Sequence, residues 1–110
     1  MTVNIKISDE AAIRELPARL VEDAAQVVSL LSSIHGVTRI WLFGSAARSR
    51  PLDWRSDLDF AVEGLPAGRE YQAWSELDER LSYPLDLVRC EDASPLLLSE
   101  IQKGIVLYET

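Results

Sequence analysis

The dipeptide Gly44-Ser45 ends an apolar run, Ile40 to Phe43, that has the composition of a buried strand. Glycine suits a sharp turn of the chain, and serine is a favoured residue for capping a helix. The N-terminus of a helix attracts anions because its free backbone N–H groups point at the ligand. A strand that stops at this pair and leads into a helix therefore predicts a phosphate-binding turn.

Asp57 and Asp59 form a second motif, directly ahead of the apolar run Phe60 to Val62, which is also predicted to be a strand. Residues two apart on a strand point to the same face, so the two carboxylates would lie roughly 6–7 Å apart. Such a pair raises the pKa values of both groups unless a cation neutralises them. Together with a phosphate-binding turn, it is the minimum equipment for handling a nucleoside triphosphate with magnesium.

A third aspartate, Asp86, lies within the short apolar segment Pro84 to Cys90, which is predicted to be a strand. An aspartate among leucine and valine neighbours is costly to bury without a partner, and a bound metal or a proton to abstract would account for it. Gly-Ser and Asp-x-Asp each occur by chance in many acidic proteins. Their position where strands meet loops favours a functional interpretation.

Basic residues also gather around the predicted turn. Arginine is suited to bidentate contacts with phosphate, and Arg48, on the predicted helix after Ser45, is the candidate phosphate ligand. For each arginine the alternative is a solvated loop residue with a counter-charge nearby. The arginines in this stretch are Arg39, Arg48, Arg50 and Arg55.

The composition fits one small domain. The chain has 110 residues, of which 47% are hydrophobic, and a formal net charge of −7. This charge argues against a broad nucleic-acid surface and fits docking on a basic partner. No signal peptide or run of membrane-spanning length is visible, so a cytoplasmic location without membrane contact is expected. Cys90 is the single cysteine, which excludes an intrachain disulfide.

Hydrophobic periodicity predicts the remaining elements. They are an N-terminal strand at residues 3–7, an amphipathic helix at 20–34, a helix at 71–81, a helix from Ser94-Pro95 to Gly104, and a final strand at 105–108. The turn follows the first core strand, whereas Asp57 and Asp59 precede the second. These groups can meet only if those two strands are antiparallel. Asp86 near the start of the third strand requires it to be parallel to the second. The predicted fold class is therefore α/β (α+β), a small mixed sheet flanked by helices.

The order of these motifs resembles the minimal nucleotidyltransferases of the DNA polymerase β superfamily. That family has a Gly-Ser, then about ten residues, then Asp-x-Asp, then a distant aspartate on a strand. The resemblance runs from about Val37 to Glu109 and includes the ending "EIQKGIVLYE". It implies a single domain over residues 1–110, with an N-terminal segment and helix at 1–36 and a nucleotidyltransferase core at 37–110. Two departures are an eleventh residue between Ser45 and Asp57, and Ala46 where many members have arginine.

The resemblance also implies roles for individual residues. Gly44 and Ser45, with Arg48, would bind the triphosphate of ATP. Asp57, Asp59 and Asp86 would be both the catalytic residues and the ligands of two Mg²⁺ ions.

Three functions remain open at this point. Small domains of this family typically serve as antitoxins paired with an all-helical HEPN-type ribonuclease toxin. The resemblance therefore implies transfer of AMP to a tyrosine hydroxyl on that toxin. A second possibility is an antitoxin that acts by binding alone. A third is a small-molecule nucleotidyltransferase subunit that works with a separate helical protein. No direct contact with nucleic acid is expected in any of them.

Overall fold

The computed structural model describes residues 16–48 and 56–110. In these two stretches the chain forms four strands, three α-helices and two 3₁₀ helices. The strands are β1 (Arg39–Phe43), β2 (Leu58–Glu63), β3 (Leu85–Arg89) and β4 (Ile105–Glu109). The α-helices are α1 (Ala18–Ser32), α2 (Glu70–Asp78) and α3 (Pro95–Gln102), and the 3₁₀ helices are Ser45–Arg48 and Cys90–Asp92. The strand predicted at residues 3–7 lies outside the described residues.

The strand order β3-β2-β1-β4 confirms the predicted mixed sheet. Strand β1 runs antiparallel to both β2 and β4, and β2 runs parallel to β3. The parallel pair is joined by the crossover that contains α2, as parallel strands require. The two strand directions deduced from the positions of the aspartates, β1 antiparallel to β2 and β3 parallel to β2, are therefore confirmed.

Helices cover both faces of the sheet. Successive strand residues point to opposite faces, and in β1 Ile40 and Leu42 belong to the larger core with α1 and α2. Trp41 and Phe43 instead pack with α3 in a second, smaller core. The face covered by α1 and α2 is called the core face below, and the face covered by α3 is called the α3 face.

Helix α1 forms because its apolar residues recur at helical spacing. Leu20, Ala24, Val27 and Leu31 are all buried against the core face. Burying one such leucine or valine contributes about 1.5–3 kcal/mol. The helix starts directly after Pro17 and ends at Ser32, two residues before the end of the predicted stripe. Sequence periodicity therefore identified the buried face well and the end of the helix less well.

The other bounds differ from the prediction by a few residues. Helix α2 is predicted from the sequence to reach residue 81 but ends at Asp78. After its end, the carbonyl of Leu77 accepts hydrogen bonds from the N–H groups of both Arg80 and Leu81 and closes the last turn. Helix α3 begins as predicted. The Ser94 hydroxyl accepts a hydrogen bond of 3.1 Å from the backbone N–H of Leu97, and proline follows at the first helical position.

Cys90 closes the smaller core at the end of β3. Its side chain is buried and packs with Trp41, Phe43, Ala61 and Ile101. Burial raises the pKa of the Cys90 thiol to about 11, with a further increase from the charges of nearby glutamates. The thiol is therefore a packing group and stays protonated at neutral pH.

This burial predicts slow alkylation of the native protein. Only the thiolate reacts, and a pKa of about 11 leaves roughly one thiol in a thousand ionised at pH 8. Iodoacetamide labelling followed by mass spectrometry should show little modification in native buffer and complete modification in guanidinium chloride. Labelling of the native protein should accelerate as the pH rises toward 11. Rapid stoichiometric labelling at pH 8 would contradict the packing of Cys90 described here.

Candidate active site

The three aspartates lie on the same face of the sheet. In β2, Leu58 and Phe60 belong to the core face, so the alternation of the strand directs Asp59 to the α3 face. Asp57 precedes β2 by one residue and continues the same alternation. In β3, Leu85 and Leu87 pack on the larger core, which directs Asp86 to the α3 face as well. Sequence spacing predicted this for Asp57 and Asp59, whereas the place of Asp86 depends on strand pairing.

The strand register brings Asp59 and Asp86 together with the end of β1. Asp59 pairs with Phe43 of β1 on one side and with Asp86 of β3 on the other. Adjacent strands are about 4.8 Å apart, so the backbones of Asp59 and Asp86 are direct neighbours. Gly44 follows Phe43 and has a φ of +75°. A Cβ atom at position 44 would collide with the carboxylate oxygen Oδ2 of Asp59. The turn at Gly44, called the Gly44 turn below, therefore lies directly against the Asp59 carboxylate.

The predicted helix after Gly44 is a short 3₁₀ helix, Ser45–Arg48. The N–H of Ala47 donates to the Gly44 carbonyl at 3.2 Å, which closes the turn. Ala46 is buried and Ser45 is exposed. The small Ala46 side chain thus anchors the turn on the core while the Ser45 hydroxyl faces solvent.

The carboxylates differ in their exposure. Asp59 is partly buried, whereas Asp57 and Asp86 are exposed. Burial raises the pKa of Asp59, and the negative charges of Asp86 and Asp57 raise it further. Repulsion by Asp86 and Asp57 therefore contributes to the raised pKa of Asp59, after the larger effect of burial. Asp86 is exposed, because β3 lies at the edge of the sheet among the described strands, so no burial cost at this position requires a metal or a transferable proton.

Within residues 16–48 and 56–110, no three His, Cys, Asp or Glu side chains stand close enough together to hold a metal ion as they are placed. The chemistry of Asp57, Asp59 and Asp86 nevertheless fits a magnesium ion, which prefers oxygen ligands and binds through one or two carboxylates together with substrate phosphates. The raised pKa of Asp59 comes first from its burial and then from the charges of Asp86 and Asp57, and a cation bound among these carboxylates would lower it.

Arg48 is held by a residue of α3. Its guanidinium nitrogen Nη2 lies 3.2 Å from Oε2 of Glu100, and the other oxygen of Glu100 lies 3.2 Å from Nζ of Lys103. All three side chains are substantially exposed, so each pair is a weak surface interaction. Of the other arginines near the turn, Arg39 pairs with Glu109 at the opposite end of β1. Arg50 and Arg55 lie outside the described residues.

The sequence pattern did not single out three residues, namely Glu100 and Lys103 near Arg48, and Asp23 in α1. Glu100 and Lys103 carried no local signal, because they are far from Arg48 in the chain and only the packing of α3 brings them to the turn. Asp23 did carry a signal. It lies three residues after Leu20 on the apolar stripe of α1, and it is buried.

Residues 25–110 match the protein-family model described as "Polymerase beta, Nucleotidyltransferase". The chain belongs to this nucleotidyltransferase family. The match covers the Gly44 turn, the three aspartates and all four strands. The small mixed sheet with its flanking helices is thus the polymerase beta-like nucleotidyltransferase fold.

Several solved structures resemble this nucleotidyltransferase. A toxin–antitoxin crystal structure with AMP-PNP is 27% identical, with a TM-score of 0.70, and the match covers 79% of this chain and 73% of that one. The toxin–antitoxin MntA-HepT is 26% identical with a TM-score of 0.64, covering 81% of this chain and 72% of the other. A tri-AMPylated Shewanella oneidensis HEPN toxin in complex with its MNT antitoxin also gives 26% identity and a TM-score of 0.64, over 81% and 71% of the respective chains.

The search among curated proteins gave no match. None of the helices described for this nucleotidyltransferase has the length and apolar character needed to cross a bilayer.

Replacing Gly44 by alanine should disturb Asp59 more than it disturbs the fold. The carboxylate can rotate away from the new Cβ, so the stability loss should be mainly that of the left-handed backbone, about 1–2 kcal/mol. Gly68→Ala is the matched control, because Gly68 has a φ of +87° and nothing within 4 Å of an added Cβ. Urea denaturation should give similar losses for both variants. Only Gly44→Ala should shift the NMR signals of the Asp59 carboxylate, and an unmoved Asp59 would contradict the contact.

Proposed function

We propose that this protein is a Mg²⁺-dependent nucleotidyltransferase antitoxin that transfers AMP from ATP to a hydroxyl group, a tyrosine, of a HEPN-type toxin. The observation that carries the proposal is the placement of Asp57, Asp59 and Asp86 on one face of the sheet beside the Gly44 turn. The resemblance to a toxin–antitoxin structure with AMP-PNP and to a complex with a tri-AMPylated HEPN toxin supports the nucleotide and the acceptor.

Gly44 and Ser45 would hold the phosphates. The absence of a side chain at Gly44 lets a phosphate approach the backbone beside Asp59. The exposed Ser45 hydroxyl can donate a hydrogen bond to a phosphate oxygen. Four negative charges of ATP next to three carboxylates would repel one another, so this placement is useful only when cations are also bound.

Asp57, Asp59 and Asp86 would supply the carboxylate ligands for Mg²⁺. When bound, the ions would stabilise the charge that develops on the attacking and leaving oxygens of a phosphoryl transfer. The carboxylates would have to turn toward a shared ion, which two solvent-exposed side chains and one partly buried side chain are free to do.

Asp86 would also face the acceptor. It is exposed on the strand at the edge of the described sheet, where none of the other described strands would stand between Asp86 and a second protein. In the proposed reaction the acceptor oxygen bonds to the α-phosphorus of ATP, pyrophosphate leaves, and Asp86 takes up the hydroxyl proton. The described residues form a single small domain, and none of them forms a separate domain that could bind the acceptor. A partner protein is therefore proposed to present the acceptor hydroxyl.

A second function is that of an antitoxin that neutralises its toxin by binding alone. The candidate phosphate ligand Arg48 is engaged by Glu100, as would be expected of a turn that no longer binds phosphate. The following experiment separates this function from the enzymatic one.

The double substitution Asp57→Asn with Asp59→Asn should abolish AMP transfer while the fold and the complex survive. Amides keep the side-chain volume and remove the charges that attract Mg²⁺, and they relieve carboxylate repulsion. The measurement is the mass of a co-expressed HEPN partner, which should increase by AMP units with the wild type and stay unmodified with the variant.

Asp78→Asn with Glu79→Gln is the matched control, because it removes two exposed charges at the end of α2, away from the site. It should leave AMP transfer unchanged. A partner that is never modified, yet is still neutralised by the double aspartate variant in a growth assay, would favour the binding-only function.

Glu100→Gln should tighten ATP binding. Glu100 neutralises Arg48 and Lys103 at the edge of the turn, and its removal frees both cations for phosphate. Because surface pairs contribute about 0.2–1 kcal/mol, the Kd for ATP should fall by about 1.5- to 5-fold, measured by calorimetry at low salt. The control is Glu76→Gln, an equal charge change on α2. An unchanged or weaker affinity in Glu100→Gln would place the triphosphate away from Arg48.

A further inference from the structure

Asp23 is a buried carboxylate that the proposed chemistry does not use. Its side chain is 3% exposed, and it is the buried acidic residue of the described core. Both carboxylate oxygens accept a hydrogen bond of 3.0 Å from the backbone N–H of Ser82, and one also accepts from Tyr83 at 3.1 Å. Three such contacts offset the burial of the charge. Helix α1 is thereby tied to residues 82–83.

Residues 82–85 are the segment that leads into β3. The Pro84 carbonyl accepts a hydrogen bond of 2.8 Å from the N–H of Leu58 at the start of β2. The Leu85 carbonyl accepts one of 2.9 Å from the indole of Trp74 in α2. With Asp23 included, three different elements hold four consecutive residues immediately before Asp86.

This anchoring compensates for the position of β3 at the edge of the sheet. Among the described strands β3 pairs with β2 alone, so no second strand in this part of the chain fixes its register. A slip by one residue would turn Asp86 to the opposite face. The slip would also break the pairing of Asp59 with Asp86, and this pairing is what brings the two carboxylates together. The contacts before β3 therefore determine where Asp86 stands.

We propose that Asp23 is a positioning residue that holds Asp86 beside Asp59 by fixing the entry of β3. The role of Asp86 rests on the function proposed above, whereas the anchoring rests on the hydrogen bonds alone. Asp23 belongs to α1, which packs on the core face, while Asp86 lies on the α3 face. Asp23 therefore cannot touch the substrate and acts only through the backbone of residues 82–85.

The first test needs no metal or nucleotide. Hydrogen exchange should be compared in the wild type, Asp23→Asn and Asp23→Ala. Removing the acceptor should accelerate exchange of the Ser82 and Tyr83 amides and of the β3 amides by about tenfold beyond the global change. Asn keeps one acceptor oxygen, so its effect should be smaller. Leu107→Ala is the control, because Leu107 is buried in β4 at the far edge of the sheet.

The second test measures the coupling of Asp23 to Asp86. Mn²⁺ affinity in the presence of a non-hydrolysable ATP analogue should fall about three- to tenfold in Asp23→Asn. The same substitution should have no further effect in an Asp86→Asn background, because coupled residues are not additive. In the AMP-transfer assay kcat should fall while the KM for ATP stays within about twofold. The reason is that the turn at Gly44, which is proposed to hold ATP, follows β1 and is not part of the segment that Asp23 anchors. Leu107→Ala should not show this split.

Two outcomes would overturn the proposal. One is unchanged exchange in β3 when Asp23 is replaced. The other is an equal loss of Mn²⁺ affinity with and without the Asp86 carboxylate. Failure of the proposed function looks different, because the wild type itself would then neither bind Mn²⁺ with the analogue nor modify its partner. In that case faster exchange in β3 would still establish that Asp23 anchors this strand.

Discussion

Strand β2 carries Asp59 between Phe43 of β1 and Asp86 of β3, and this in-register alignment is the constraint around which the site is built. Two like charges on neighbouring strands of one sheet face are unfavourable. Burial and the adjacent charges together raise the pKa of Asp59. A fold that keeps such an arrangement must hold the strands firmly by other means, and it leaves a concentration of negative charge that a cation would stabilise.

Those other means lie mostly on the opposite face. Phe60 and Val62 of β2 are fully buried against α1 and α2, so the strand that carries Asp59 is held by the larger core. Strand β3 buries less. Ser82, just ahead of it, donates a hydrogen bond to Asp23, and its first residue, Leu85, accepts one from Trp74. Apolar packing thus fixes the centre of the sheet, and directed polar contacts fix the edge at which Asp86 stands.

The side of the site next to Gly44 depends on a different element. Helix α3 covers the α3 face and places Glu100 and Lys103 near Arg48. The positive charge near the Gly44 turn is therefore partly neutralised by a carboxylate from a later segment of the chain. Because the three side chains are exposed, this balance is weak and can respond to a bound anion.

The sequence by itself determined the local features: the strand ends at Gly44 and Asp57, the cap at Ser94, and the mixed strand directions required for the aspartates to meet. These follow from short-range rules, namely the alternation of strands and the preferences of glycine and serine. Only the tertiary structure decided that Asp86 is exposed, that Arg48 pairs with Glu100, and that Asp23 anchors β3. Each of these depends on which segments become neighbours across the sheet, and hydrophobic periodicity carries no information about contacts between residues tens of positions apart.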